Sequence, residues 1–218
     1  QSGTACVNGK SRRVTSPKSP LPLDNRRAPG QSGPENHEEN QITPLDPQFL
    51  FGYVHVERVS VGVHDPLFSS ALYLSDGRAG LLFIANDVIF ISKDMARRVR
   101  SRIAAQTGVP PENILVSATH THSGPVTVDY LSSRGDPTVP LADPAYLRRL
   151  EDGILAAAVQ ACANAQPAEL GLALADAAGV GTNRRDPNGP SDPQVPVLVA
   201  RALADHRPIA CMLVFSMH

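Results

Sequence analysis

The chain has no apolar run that approaches the roughly 20 residues a membrane-spanning helix requires. It has no excess of either charge, with 20 Lys and Arg against 21 Asp and Glu. A near-neutral balance excludes the basic footprint expected of a nucleic-acid binder. There are only three cysteines, Cys6, Cys162 and Cys211, and they lack Cys-x-x-Cys spacing. They spell no thiolate zinc site and leave the redox compartment open. Cys162 in an Ala-rich helical stretch and Cys211 in an apolar strand read as small buried core residues. No internal repeat is visible. The start, Gln1-Ser2-Gly3, has neither an initiator methionine nor a secretory signal, so the sequence is expected to be an excerpt or a processed product.

What is present begins with a change of composition. Residues 1–40 are rich in Ser, Pro, Gly, Asn and charge, with little apolar periodicity. Such a segment buries too little surface to offset its ordering entropy, and the expectation is a disordered tail. Residues 41–218 alternate strand and helix signals and are long enough to bury a sizeable core. Ser70–Leu74 and Leu81–Ala85 read as strands joined at Asp76-Gly77. A helix is predicted from an N-cap at Ser92 to about Thr107, with Met95, Val99 and Ile103 on one face. Arg97, Arg98, Arg100 and Arg102 crowd its other side and read as a solvated face. Gly108 and Pro110-Pro111 end it. A second helix starts at Asp143-Pro144, with Leu147, Leu150, Ile154, Ala158 and Ala161 as its apolar stripe. Strands follow over about 169–174, 195–202 and 209–217, the last two joined by a turn at Asp205–Pro208. The order predicts an α/β fold: a mixed β-sheet covered by helices, with a disordered N-terminal tail.

Chemistry concentrates in Thr119-His120-Thr121-His122-Ser123-Gly124-Pro125. It follows the apolar run Ile114–Ala118, a short buried strand. Two histidines two apart at a strand end point to the same side. Imidazole is the commonest metal ligand and the commonest acid/base near neutral pH. Gly124 and Pro125 then turn the chain. The pattern suits a metallo-hydrolase site, and equally two partly exposed polar residues at a strand end.

The stretch Asn113–Pro125 resembles the signature of the neutral/alkaline, non-lysosomal ceramidases, zinc amidases that cleave the N-acyl bond of ceramide. Further segments resemble that family in the same order. Ile42-Thr43-Pro44 resembles its N-terminal element, with Gln41 where the family has Asp. Gly52-Tyr53 follows, then Gly62-Val63-His64-Asp65-Pro66-Leu67-Phe68, then Asn183-Arg184-Arg185. Phe215-Ser216-Met217-His218 resembles the strand that ends in a second zinc-binding histidine. The resemblance implies zinc (Zn2+) as cofactor, with His120 and His218 as metal ligands. It implies that His122 faces the same cavity as an acid/base or oxyanion-stabilising group. A second ligand or a structural hydrogen bond is the alternative for His122. Arg184 would hold a substrate hydroxyl or the developing oxyanion; the plainer reading makes Arg184 and Arg185 loop charges. Asn86-Asp87, at a strand end, is a candidate for orienting a ligand histidine. His64-Asp65 reads as a polar pair or a turn, and His37, His55 and His206 as tail or loop residues. The implied partner is a small lipid-like or N-acyl amide substrate, and the implied setting is extracellular or at the cell surface.

Two departures from the family pattern bear on function. The family's remaining zinc ligands, a Glu and a Tyr, come from later in the chain than residue 218, so this segment alone is expected to bind zinc weakly and to be inactive. The family continues its histidine motif with two glycines, where Val126-Thr127-Val128-Asp129-Tyr130 stands here. A changed substrate-facing loop would favour amides other than ceramide. Among other zinc hydrolases with His-x-His, a metallo-β-lactamase-like site needs Asp and His at positions held by Gly124 and Pro125. An amidohydrolase barrel places the motif after its first strand, whereas several elements precede it here. The non-enzymatic alternative is a zinc-free binding or structural module on the same fold.

Overall fold

The computed structural model describes residues 40–53, 55–129 and 137–216. Its elements are β1 (Asn40–Gln41), β2 (Phe68–Ser75), β3 (Gly80–Asn86), α1 (Lys93–Thr107), a 3-10 turn (Pro111–Asn113) and β4 (Ile114–Ala118). They continue with α2 (Pro144–Ala163), β5 (Ala168–Asp176), β6 (Gln194–Ala202) and β7 (Pro208–Leu213). The expected tail lies outside the described residues, except that Asn40 belongs to the fold, paired with Ser69 in β1.

The first sheet has the order β1-β2-β3-β4. β1, β2 and β3 run antiparallel and β4 runs parallel to β3, with α1 as the crossover. A parallel neighbour needs such a crossover, because no tight turn can reverse the chain twice. Alternation along the strands sorts the side chains. Ala71, Leu82, Ile84 and Ile114 point to the helices and join Ile42, Val88, Met95, Val99, Ile103, Leu150 and Ile154 in one buried cluster. Each large aliphatic in it contributes about 1.5–3 kcal/mol by leaving water.

The helices form where their caps are. Ser92 Oγ accepts from the Met95 N–H at 3.1 Å, and Gly108, at φ 74°, closes the other end of α1 on the Ala104 carbonyl. Asp143 accepts from the Ala145 N–H at 2.8 Å, with Pro144 in the first turn of α2. The arginine face of α1 is more than solvated. Arg98 pairs with Glu151, and Arg102 reaches Asp152 at 2.8 Å, so the two helices are clasped along their exposed edge.

The strands after α2 form a separate antiparallel sheet, β5-β6-β7, which lies on the opposite face of the first. Its buried contact is small: Leu72, Ala168 and Ala200, flanked by Leu74, Phe83, Leu198 and Met212. Beyond this contact β5 is bare, with Leu170, Leu172 and Leu174 exposed. β7 ends at Leu213 rather than near Met217. Val214 still donates to the Pro196 carbonyl at 3.1 Å. Proline has no N–H to return that bond, and the ladder stops there. Cys211 is exposed rather than in the core, while Cys162 packs against the main cluster. No helix among the described residues is long and apolar enough to cross a membrane.

Candidate functional site

β3 and β4 end side by side, Asn86 opposite Ala118, and both chains continue into the same region. Asn86 is wholly buried and welds three strands there. Its amide oxygen accepts from Ser69 Oγ at 2.7 Å, and its amide nitrogen donates to the Ser117 carbonyl at 2.8 Å. The histidine loop then lies along the backbone that follows β3. Thr119 N–H donates to the Asn86 carbonyl and His120 N–H to the Val88 carbonyl, at 2.9 and 3.1 Å.

His120 therefore sits on a loop, in the left-handed conformation at φ 65°, and not on the pleat of a strand. Alternation along a strand would set the two imidazoles on one side; they do come together, but by a turn. Their rings meet edge to face with centroids 5.2 Å apart. His120 Nδ1 lies 2.9 Å from the Ile89 carbonyl oxygen. A carbonyl only accepts, so Nδ1 carries the proton and the neutral ring has its lone pair on Nε2. This is the tautomer and the backbone support that metal-binding imidazoles use. Phe90 backs the same ring, edge to face at 5.1 Å.

Asn86 and Asp87 do not hold the ring itself. Asp87 accepts from the Phe68 N–H at 3.0 Å and faces Thr119 Oγ1 at 3.3 Å, so it steadies the residue before His120. Sequence gave no signal for Ile89, since any residue supplies a carbonyl. His122 is half-buried; its ring meets Tyr53 edge to face at 5.2 Å, and its carbonyl accepts from Arg58 Nη1 at 3.1 Å.

Arg184 is exposed and borders a cavity of about 510 Å³ with Gly181, Asn183, Asp192, Phe215 and Ser216. Asn183 organises that loop: its side-chain oxygen accepts from the N–H groups of Arg185 and Asp186 at 3.0 and 3.2 Å. His218, the second expected ligand, lies outside the described residues. A second cavity, about 820 Å³, is lined by Pro44, Val61, His64, Asp87, Thr121 and Ser123. His64 and Asp65 form an exposed pair at 2.7 Å on its rim, where the carboxylate raises the imidazole above its ordinary value. Among the described residues no group of three or more His, Cys, Asp or Glu is arranged to hold a metal. His120 has the form of one such ligand, and the rest of a coordination sphere would have to come from elsewhere.

Of the changed residues after the histidine motif, the first three turn inward. Val126, Thr127 and Val128 are buried, and Thr127 Oγ1 donates to the Phe90 carbonyl at 2.7 Å. Asp129, which follows them, is exposed.

The fold is that of the N-terminal part of a ceramidase. The crystal structure of neutral ceramidase from Pseudomonas aeruginosa superposes with a TM-score of 0.70, over 80% of this chain and 30% of that one, at 23% identity. A ceramidase complexed with C2 superposes at 0.68, over 80% and 29%, with 21% identity. The sequence pattern of the neutral/alkaline non-lysosomal ceramidase N-terminal region matches residues 43–193, and the chain belongs to that family. Neutral ceramidase of Mycobacterium tuberculosis is 30% identical over 158 residues, which are 66% of this chain and 24% of that protein. The P. aeruginosa enzyme is 26% identical over 125 residues, 56% of this chain and 18% of its own. The chain thus spans about a quarter of the first of these relatives.

Proposed function

We propose that this chain is part of a zinc-dependent amidase that hydrolyses an N-acyl amide bond, in ceramide or a related N-acyl lipid. Family membership supports the reaction class. The observation that carries the metal reading is His120, whose Nδ1 proton is committed to the Ile89 carbonyl and whose ring abuts His122. His120 and His218 would hold the ion together with ligands from other parts of the protein. Zinc, when bound, supplies a water with pKa lowered to about 7 and polarises the amide carbonyl. His122, beside His120, is the group within reach to carry a proton to the departing amine or to steady the oxyanion. Arg184, beside the loop that Asn183 organises, would hold a substrate hydroxyl by its planar guanidinium.

The test is metal content by elemental analysis on the natural protein, wild type beside His120→Ala, with hydrolysis of ceramide and of short N-acyl amides followed in parallel. The expected result is about one zinc per chain, absent in the variant, with activity lost in step. Absence of zinc from an active wild type would remove the mechanism. Absence of both zinc and hydrolysis would favour the binding-module reading.

A further inference from the structure

We infer that Gly52, Tyr53 and Arg58 form a clamp that positions His122, an inference that rests on reading His122 as part of the amidase site. The clamp is built by a short turn-back of the chain. Phe49 bridges to Val59, and the Leu50 N–H bonds to the Arg58 carbonyl, so Arg58 returns beside Tyr53. The turn-back is then pinned to the histidine loop: Leu50 bridges to Pro125, and Phe51 N–H donates to the Gly124 carbonyl at 3.1 Å.

Three contacts converge on His122 from this segment. The Tyr53 ring meets the imidazole edge to face, at 5.2 Å and 79° between planes. The Arg58 guanidinium lies over the other ring of that pair, 4.5 Å from the Tyr53 centroid, and its Nη1 donates to the His122 carbonyl at 3.1 Å. One cation thus holds both the backbone of His122 and the aromatic ring that leans on its side chain. Gly52 completes the fit. A Cβ there would stand 2.5 Å from His122 Nδ1, and the residue sits at φ 126°, where side chains are rarely found. The imidazole occupies the space that a side chain at position 52 would need.

Core packing does not account for these contacts. Tyr53, His55, Val56, Glu57 and Val59 are exposed, so the segment contributes little to the buried clusters. What it touches is the histidine loop. A group that moves a proton has to be held within a fraction of an ångström, and a displacement of about 1 Å can cost on the order of 100-fold in rate. Tyr53 and Arg58 are positioning residues in this sense; the proton-carrying group is His122.

The experiment uses the natural protein with Gly52→Ala, Tyr53→Ala, Tyr53→Phe, Arg58→Ala and Arg58→Lys. Two measurements are made: steady-state hydrolysis of a fluorogenic N-acylsphingosine, and NMR of the protein carrying 13C-labelled histidine, with the His122 ring assigned by its loss in His122→Ala. Gly52→Ala and Tyr53→Ala are expected to lower kcat by about 10- to 100-fold, with KM within about twofold. Tyr53→Phe and Arg58→Lys are expected to recover most of the rate that their alanine counterparts lose. The His122 ring resonances move in Tyr53→Ala and Gly52→Ala, while those of the exposed His64 stay. Unmoved His122 resonances in both variants overturn the clamp, as does a kcat that stays near wild type in both. An inactive wild type would sink the amidase reading alone, and the resonances would still decide the clamp.

Discussion

Gly153 is a glycine in the interior of α2, where alanine is ordinarily worth about 1 kcal/mol more in helix stability. Here the sign reverses. A Cβ at position 153 would stand 2.4 Å from Cγ2 of Ile42. That methyl cannot swing aside, because it is attached directly to Cβ of a β-branched side chain and Ile42 is wholly buried between α2 and the sheet. Overpacking of this kind costs about 1–3 kcal/mol, which exceeds the propensity gain. Gly153→Ala is expected to destabilise the protein by about 1 kcal/mol net, or roughly 2–4 °C in Tm for a domain of this size. Ile42→Ala removes the obstructing methyl, at about 2–5 kcal/mol of its own. In that background Gly153→Ala should stabilise by about 1 kcal/mol. Urea denaturation of the two single variants and the double variant measures the coupling. If Gly153→Ala stabilises the wild-type background, or acts alike in both backgrounds, then Ile42 is not packed against α2 as described.

Asn86→Leu leaves the buried Ser69 Oγ without its partner, at about 1–3 kcal/mol, and removes the bond to the carbonyl of the exposed Ser117, worth about 0.5–1.5 kcal/mol. Chemical denaturation should show the sum, and Ser69→Ala in the same background should restore part of it; no recovery would mean the two groups are not joined through Asn86. The two described thiols should differ in reactivity. Burial pushes Cys162 up to about 11, whereas Cys211 is exposed. The thiolate is the reacting form, and below its pKa it falls tenfold per pH unit. Iodoacetamide at pH 8 followed by peptide mapping should mark Cys211 and spare Cys162, and equal labelling would refute the burial of Cys162.

The helices were legible because their ends are written locally: Ser92 and Gly108 for α1, Asp143 and Pro144 for α2. The strands were legible by alternation, but alternation does not name a partner. Hence the split into two sheets, with β5–β7 apart from β1–β4, was not visible. The histidine motif drew attention by residue type and spacing. Its geometry rests on things that carry no sequence signal: a left-handed histidine backbone and the carbonyls of residues 86–89. The burial of Val126–Val128 was not legible, because a difference from a family pattern does not say whether it lies in the core or at the surface. Tyr53 stands in a motif of the sequence, but its contact with the His122 ring is visible only in the fold.

The two sheets are unequally anchored. The first shares a deep cluster with both helices, and the second meets it through little more than Leu72, Ala168 and Ala200. Cooperative units with few buried apolar contacts open first. The strands that flank Arg184 are therefore expected to let go while the ground under His120 still stands. If Arg184 works with His120 as proposed, activity would fade with heat or denaturant before the molecule as a whole melts.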